Sequence, residues 1–313
     1  AGRRLAMGVV GQREARAVGL RMHGGHAHGG PRTPPKVPGL EGVRHIVAVG
    51  SGKGGVGKST VAVNLALALS NLQLRVGVLD ADIYGPSLPT LLNLNGKPEV
   101  DADELLVPLQ NYGLKAMSLG FLIPPDAAAI WRGPMLSSAL KSIIQQVQWG
   151  ALDVLVVDLP PGTGDVHITV SQVMPLTGAI VVTTPQQLAL ADVRRAVSMF
   201  AKVHVDVMGV VENMSWLECG SCGERQRLFG EGGGAETLAF AKKDGDNSGT
   251  QLWQLPMQPS LQRASDNGLP LLVPGQGDKN SAAEAVFAAM AEHLHPALAA
   301  NASNAGPDIS FEA

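Results

Sequence analysis

Cysteine is scarce: the 313-residue chain holds two, Cys219 and Cys222. One Cys-x-x-Cys pair excludes a disulfide framework and points to metal or redox chemistry in a reducing compartment. No apolar run approaches the roughly 18 residues of a transmembrane helix, so no stable membrane insertion is expected. The net charge is only −3, and Lys and Arg are scattered after residue 40, so no basic patch marks a nucleic-acid partner. No internal repeat is visible. Acidic residues are almost missing from the first 36 positions, where Arg3, Arg4, Arg13, Arg16, Arg21, Arg32 and Lys36 face a single Glu14. Such basic, acid-poor N-termini resemble organelle transit peptides. The His23–His28 tract is a weak metal-binding candidate inside a Gly/His linker, and a Pro-rich lead from Pro31 to Pro38 follows it.

What remains is apolar. The chain is 45% hydrophobic, enough for one sizeable core. The expected organisation is a disordered leader and linker over 1–40, one domain over 41–299 and a frayed tail over 300–313. Strand-like runs fall at 44–50, 75–80, 114–119, 153–158, 178–184, 206–212 and, more weakly, 252–255. Val154–Val157 and Ala179–Val182 are apolar without alternation, as strands covered on both faces must be. Helical stretches such as 134–148 and 189–201 separate them, and an Ala-rich, weakly charged C-terminal helix is expected over Ala282–Leu294. This alternation predicts a doubly wound α/β domain with a mostly parallel sheet, whose function gathers at the carboxyl ends of the strands.

The motifs do fall there. Residues 50–60, Gly-Ser-Gly-Lys-Gly-Gly-Val-Gly-Lys-Ser-Thr, fit the phosphate-loop pattern between a strand and a helix starting near Ser59. Gly52, Gly54, Gly55 and Gly57 let the backbone close on phosphate, and the N–H groups around Val56 and Thr60 join the helix terminus in binding it. Lys58, expected on an exposed loop, reaches the β- and γ-phosphates of a bound nucleotide, and the Ser59 hydroxyl holds Mg²⁺. Asp80-Ala-Asp82 ends the next strand. Its acids suit either water positioning and metal support or turn capping, with Asp80 as support for the loop. Asp153–Asp158 is apolar and then acidic, so Asp158 acts on Mg²⁺, and Gly162 and Gly164 free the following switch loop. Cys219 and Cys222 suit a shared metal or cluster, a redox dithiol or two structural thiols. Because one chain supplies two thiolates and a cluster usually takes four, a symmetric dimer would complete the set.

Together these residues resemble known ATPases. Lys53, directly after Gly52, resembles the second lysine of the deviant Walker A loop in the SIMIBI class, which includes MinD, ParA and the nitrogenase iron protein. There the early lysine crosses a dimer interface to the partner's nucleotide, the residue matching Asp82 positions the attacking water, and the one matching Asn213 meets adenine. The blocks Gly52–Thr60, Asp80–Ser87, Trp131–Met135, Asp158–Asp165 and Cys219–Gly234 are similar to the Mrp/ApbC family of P-loop iron–sulfur carrier ATPases over about residues 40–295.

Within the family the nearest likeness is to the mitochondrial NUBPL-type subgroup that assists complex I assembly. The Pro38–Val43 lead, Leu109–Gly113 and Val203–Val205 carry it. The resemblance implies a homodimer with ATP, Mg²⁺ and a [4Fe–4S] cluster on Cys219 and Cys222. It also implies slow hydrolysis through Lys53, Lys58 and Asp82, delivery to apo-proteins such as complex I subunits, and the mitochondrial matrix, with a bacterial cytoplasm as the alternative. The polar stretch Lys243–Thr250 departs from the family pattern, and Gly50 stands where Ser is usual. A MinD/ParA-like positioning ATPase, an electron-transfer reductase and zinc in place of iron are the rival readings.

Overall fold

The unbroken apolar runs become sheet, and the stretches between them become helix, in a computed structural model that describes residues 37–123, 133–243, 249–276 and 281–300. The basic leader, the His23–His28 tract, Trp131 and Arg132, the polar stretch at 244–248 and the tail beyond 300 lie outside the described residues. The strands are β1 (Val43–Ser51), β2 (Val76–Asp80), β3 (Leu109–Asn111), β4 (Leu114–Ser118), β5 (Leu152–Asp158), β6 (Gly178–Thr183), β7 (Val207–Glu218), β8 (Arg225–Gln226) and β9 (Gln251–Met257). The helices are α1 (Lys58–Asn71), α2 (Leu88–Leu91), α3 (Gly133–Gln146), α4 (Asp165–Val173), α5 (Gln187–Lys202), α6 (Gly233–Lys243), α7 (Pro259–Asp266) and α8 (Ala282–Ala300).

One nine-stranded sheet runs β3-β4-β2-β5-β1-β6-β7, with β9 and the short β8 both pairing with β7. From β4 to β9 the main strands are parallel, and only β3 and β8 run antiparallel to their neighbours. The doubly wound, mostly parallel architecture is the expected one. Its helices lie on the sheet, and α1 shows why the pattern along it is apolar without a stripe. Val61 to Leu69 are all buried, because α8 packs on α1 while its other side meets β1, β2 and β5.

Register then positions the site. Val49 pairs with Asp158 across β1 and β5, and Asp80 pairs with Asp158 across β2 and β5. Three strand ends therefore bring the Gly-rich loop and two acids together. The strand β1 lies between β5 and β6, where the chain changes sides, so the crevice opens at a topological switch point.

Three features differ from the sequence expectation. Strand β3 forms a hairpin with β4 through Tyr112 (φ 52°) and Gly113 (φ 77°), both positive as a two-residue type I′ turn requires. Strand β7 continues to Glu218, because an irregularity at Asn213–Met214 breaks its alternation without ending its pairing. Helix α8 extends past Leu294 to Ala300 with Pro296 inside it.

Candidate functional site

The loop Gly52–Thr60 joins β1 to α1, and two of its glycines are needed for different reasons. Gly57 precedes the first helical residue with φ 83°, and a Cβ there would lie 2.3 Å from Asn213 Nδ2. A Cβ on Gly52 would lie 2.3 Å from the Asp192 carbonyl carbon, so α5 can pass this close only over glycine. The open N–H groups of the first turn of α1 face this loop, as an anion site requires. The loop walls a cavity of about 520 Å³. Asp82, the Gly85–Ser87 turn, Pro161 and, from α7, Ser265 and Asp266 also line it.

Lys58 is not on an exposed surface. It is 6% exposed, and its Nζ donates to Asp158 Oδ1 and lies 3.3 Å from Ser59 Oγ. The ammonium is drawn in because Asp158 is itself almost fully buried and needs a countercharge. Burial pushes the Asp158 carboxyl up, and Lys58 pulls against that shift. Asp80 shapes the next loop. Its Oδ1 accepts from Asp82 N (3.0 Å), and its Oδ2 accepts from Ser87 N (3.0 Å), Leu88 N (3.2 Å) and Ser118 Oγ (3.2 Å). Burial first and the charge of Asp158 second push the Asp80 carboxyl up to about 7. Asp82 is left at the cavity wall, where its Oδ1 accepts from Gly85 N (3.2 Å).

Lys53 lines the same cavity and donates from Nζ to Gln186 Oε1 of its own chain at 3.0 Å. Asn213 is buried beneath the loop, not in the cavity lining. Its Nδ2 donates to Val56 O at 2.8 Å, and its Oδ1 accepts from Met214 N at 2.9 Å. The sequence reading missed Gln186, Ser265 and Asp266. Gln186 follows the end of β6 and was open to the same strand-end rule. Ser265 and Asp266 arrive from a helix far along the chain and carry no local signal. His167, in α4, is buried, and that burial lowers it to about 4, so it is neutral at pH 7.

The cysteines stand apart from the cavity, at the tip of the β7–β8 hairpin. Leu217 pairs with Gln226 and Glu218 with Arg225. Cys219 N donates to Glu224 O (2.9 Å) and Gly223 N to Cys219 O (2.8 Å), closing a tight knuckle. Both thiols are free, Cys219 partly buried and Cys222 exposed. The N–H groups of Ser221 and Cys222 hold the Cys219 thiol below its ordinary range, which favours the thiolate that binds metals. Among the described residues no group of three or more His, Cys, Asp or Glu side chains converges to hold a metal ion. Nor is any helix among them long and apolar enough to cross a membrane.

With this geometry in place, known proteins resemble the chain over most of its length. It is 50% identical over 240 residues to the iron-sulfur protein required for NADH dehydrogenase, mitochondrial, of Arabidopsis thaliana, covering 76% of this chain and 74% of that one. It is 50% identical over 256 residues to the iron-sulfur cluster transfer protein NUBPL of Dictyostelium discoideum, covering 81% and 77%. A nucleotide-binding protein from Archaeoglobus fulgidus, solved in complex with ADP, shares 38% identity and superposes with a TM-score of 0.64, covering 77% of this chain and 95% of that one. The model of the NUBPL iron-transfer P-loop NTPases matches residues 42–295, and the chain belongs to that family.

Proposed function

We propose that this chain is a homodimeric, ATP-dependent carrier that holds a [4Fe–4S] cluster between the Cys219/Cys222 pairs of two copies and hands it to apo-proteins, among them mitochondrial complex I subunits. The observation that carries this reading is the thiol pair itself. It lies on an exposed hairpin with a stabilised thiolate and no third ligand among the described residues, so a second copy is the natural source of the rest. The relatives named for cluster transfer and for mitochondrial NADH dehydrogenase support the cargo and the recipient.

In this reading the 41–299 domain is the carrier, 1–40 brings it to the mitochondrial matrix, and 300–313 is a tail. Neither nucleic acid nor a stable membrane insertion is part of its work. Lys58 turns from Asp158 to the β- and γ-phosphates, which bring the negative charge it otherwise takes from the carboxylate. The Ser59 hydroxyl and Asp158 carboxylate are hard oxygen donors of the kind Mg²⁺ takes, and Mg²⁺ would spread the phosphate charge there. Asn213 keeps its bond to Val56 O and meets adenine from beneath the loop, Lys53 leaves Gln186 for the partner's phosphates, and Asp82 orients water. Hydrolysis is slow and acts as a switch. The test is iron and sulfide content per dimer after anaerobic reconstitution, with mass from light scattering. Four irons per dimer are expected, and Cys219→Ala or Cys222→Ala should each lose them. Stoichiometric zinc without iron in the unmutated protein, or four irons in either variant, overturns the reading.

A further inference from the structure

The strand that leads into the cysteine hairpin is also bonded to the phosphate loop. Asn213 Nδ2 donates to Val56 O at 2.8 Å and is wedged against Gly57, and the first cysteine follows six residues later, directly after the strand ends at Glu218. Between them β7 is distorted. Asn213 pairs with Leu255 and Leu217 with Met257, so β7 advances four residues while β9 advances two. Met214 absorbs the excess in a left-handed conformation, φ 59°, which a residue with a Cβ adopts at a cost.

The distortion is pinned on its near side. Ser215 Oγ lies 2.7 Å from Glu212 O and 2.8 Å from Glu212 Oε1, so its one proton closes the bulge onto Glu212. The buried Glu212 carboxylate also accepts from Gly234 N (2.6 Å) and Gln254 Nε2 (2.9 Å), tying it to α6 and β9. A strained, pinned segment with one end on the phosphate loop and the other on the cysteine hairpin is placed to transmit movement, because packed interiors shift between discrete arrangements and do not deform smoothly.

We propose that the Asn213–Ser215 bulge passes nucleotide occupancy of the phosphate loop to the cysteine hairpin, with Met214 and Ser215 as its positioning residues. This rests on the reading that the loop binds ATP and the hairpin binds the cluster. Movement of the Val56 carbonyl shifts the Asn213 amide, and the rigid left-handed turn at Met214 carries that shift into Ser215–Cys219. Met214→Gly keeps the conformation available without strain and loosens the link. Ser215→Ala removes the pin from the other side.

The experiment uses the full, reduced, cluster-free chain and two probes, MgATP for the loop and iodoacetamide for the thiols. ATP affinity and the alkylation rate are measured separately, and the rate is then taken with and without saturating MgATP. In the unmutated chain MgATP should change the alkylation rate by about fivefold or more, the lower end of ordinary site-to-site coupling. In Met214→Gly and in Ser215→Ala the change should fall below about twofold while ATP affinity stays within about twofold. An unmutated chain that binds MgATP without any change in thiol rate overturns the proposal. So do two folded variants that keep the full change, which would place the coupling elsewhere. Failure of the unmutated chain to bind MgATP would instead sink the functional reading on which the proposal rests.

Discussion

Lys58 shows how one residue's surroundings change the meaning of its substitution. From its motif alone it meets phosphate at a surface, and Lys58→Ala would cost only binding. In the fold it neutralises Asp158, which is 1% exposed. Lys58→Ala should therefore abolish MgATP binding by equilibrium titration and also destabilise the nucleotide-free protein by on the order of 3 kcal/mol, because a buried carboxylate loses its partner. The deficit should shrink on acidification. Asp158 already has a raised pKa, and without Lys58 it rises further, so its penalty is absent below the usual carboxylate range and grows as pH climbs. Unchanged ATP affinity would remove the phosphate-loop assignment.

His167 has the opposite sign. Its folded value, about 4, lies below its ordinary 6.5, so the unfolded chain binds the additional proton between those values. Its contribution is complete above about pH 6.5 and is lost as pH falls toward 4, by up to about 3 kcal/mol. Urea unfolding from pH 7 to 5 should show that slope, and His167→Gln should flatten it by one proton's worth. An unaltered slope would place the acid sensitivity elsewhere.

At the scale of elements, the phosphate loop works because strand, turn and helix meet with no side chain between them. Gly57→Ala must hold φ 83° and push a methyl group into the Asn213 amide. The left-handed strain alone costs about 1–2 kcal/mol. Thermal melts should show that loss, and MgATP affinity should fall at least about tenfold because the loop itself moves. An Ala variant with native affinity would mean that Asn213 simply swings aside. The strands were legible where apolar runs were unbroken, as in Val154–Val157. The second half of β7 was not, since polar Glu212, Asn213 and Ser215 face partners supplied by the fold, and Met214 interrupts the period of two. The short β3 and β8 carried too few residues to show a period at all.

For the whole molecule, the Lys53 ammonium rests on Gln186 of its own chain, at the edge of the cavity. If its phosphate contact lies in the partner copy, Lys53→Ala should reduce ATP hydrolysis and nucleotide-linked dimerisation by about tenfold or more, with a much smaller effect on monomer nucleotide affinity. Light scattering and a phosphate-release assay read these out, and loss of binding as complete as in Lys58→Ala would show that Lys53 serves its own subunit. The Gly-rich turn, the acids at strand ends, the Cys-x-x-Cys pair and the α/β alternation were all legible in the chain of residues. These depend on spacing within a few residues, where backbone geometry and side-chain period act directly. That Lys58 is buried on Asp158, that Asn213 supports Val56, and that α7 brings Ser265 and Asp266 to the cavity came from the folded molecule alone. Those contacts join segments about a hundred residues or more apart, and they exist because sheet order and register place strand ends side by side, which no local pattern encodes.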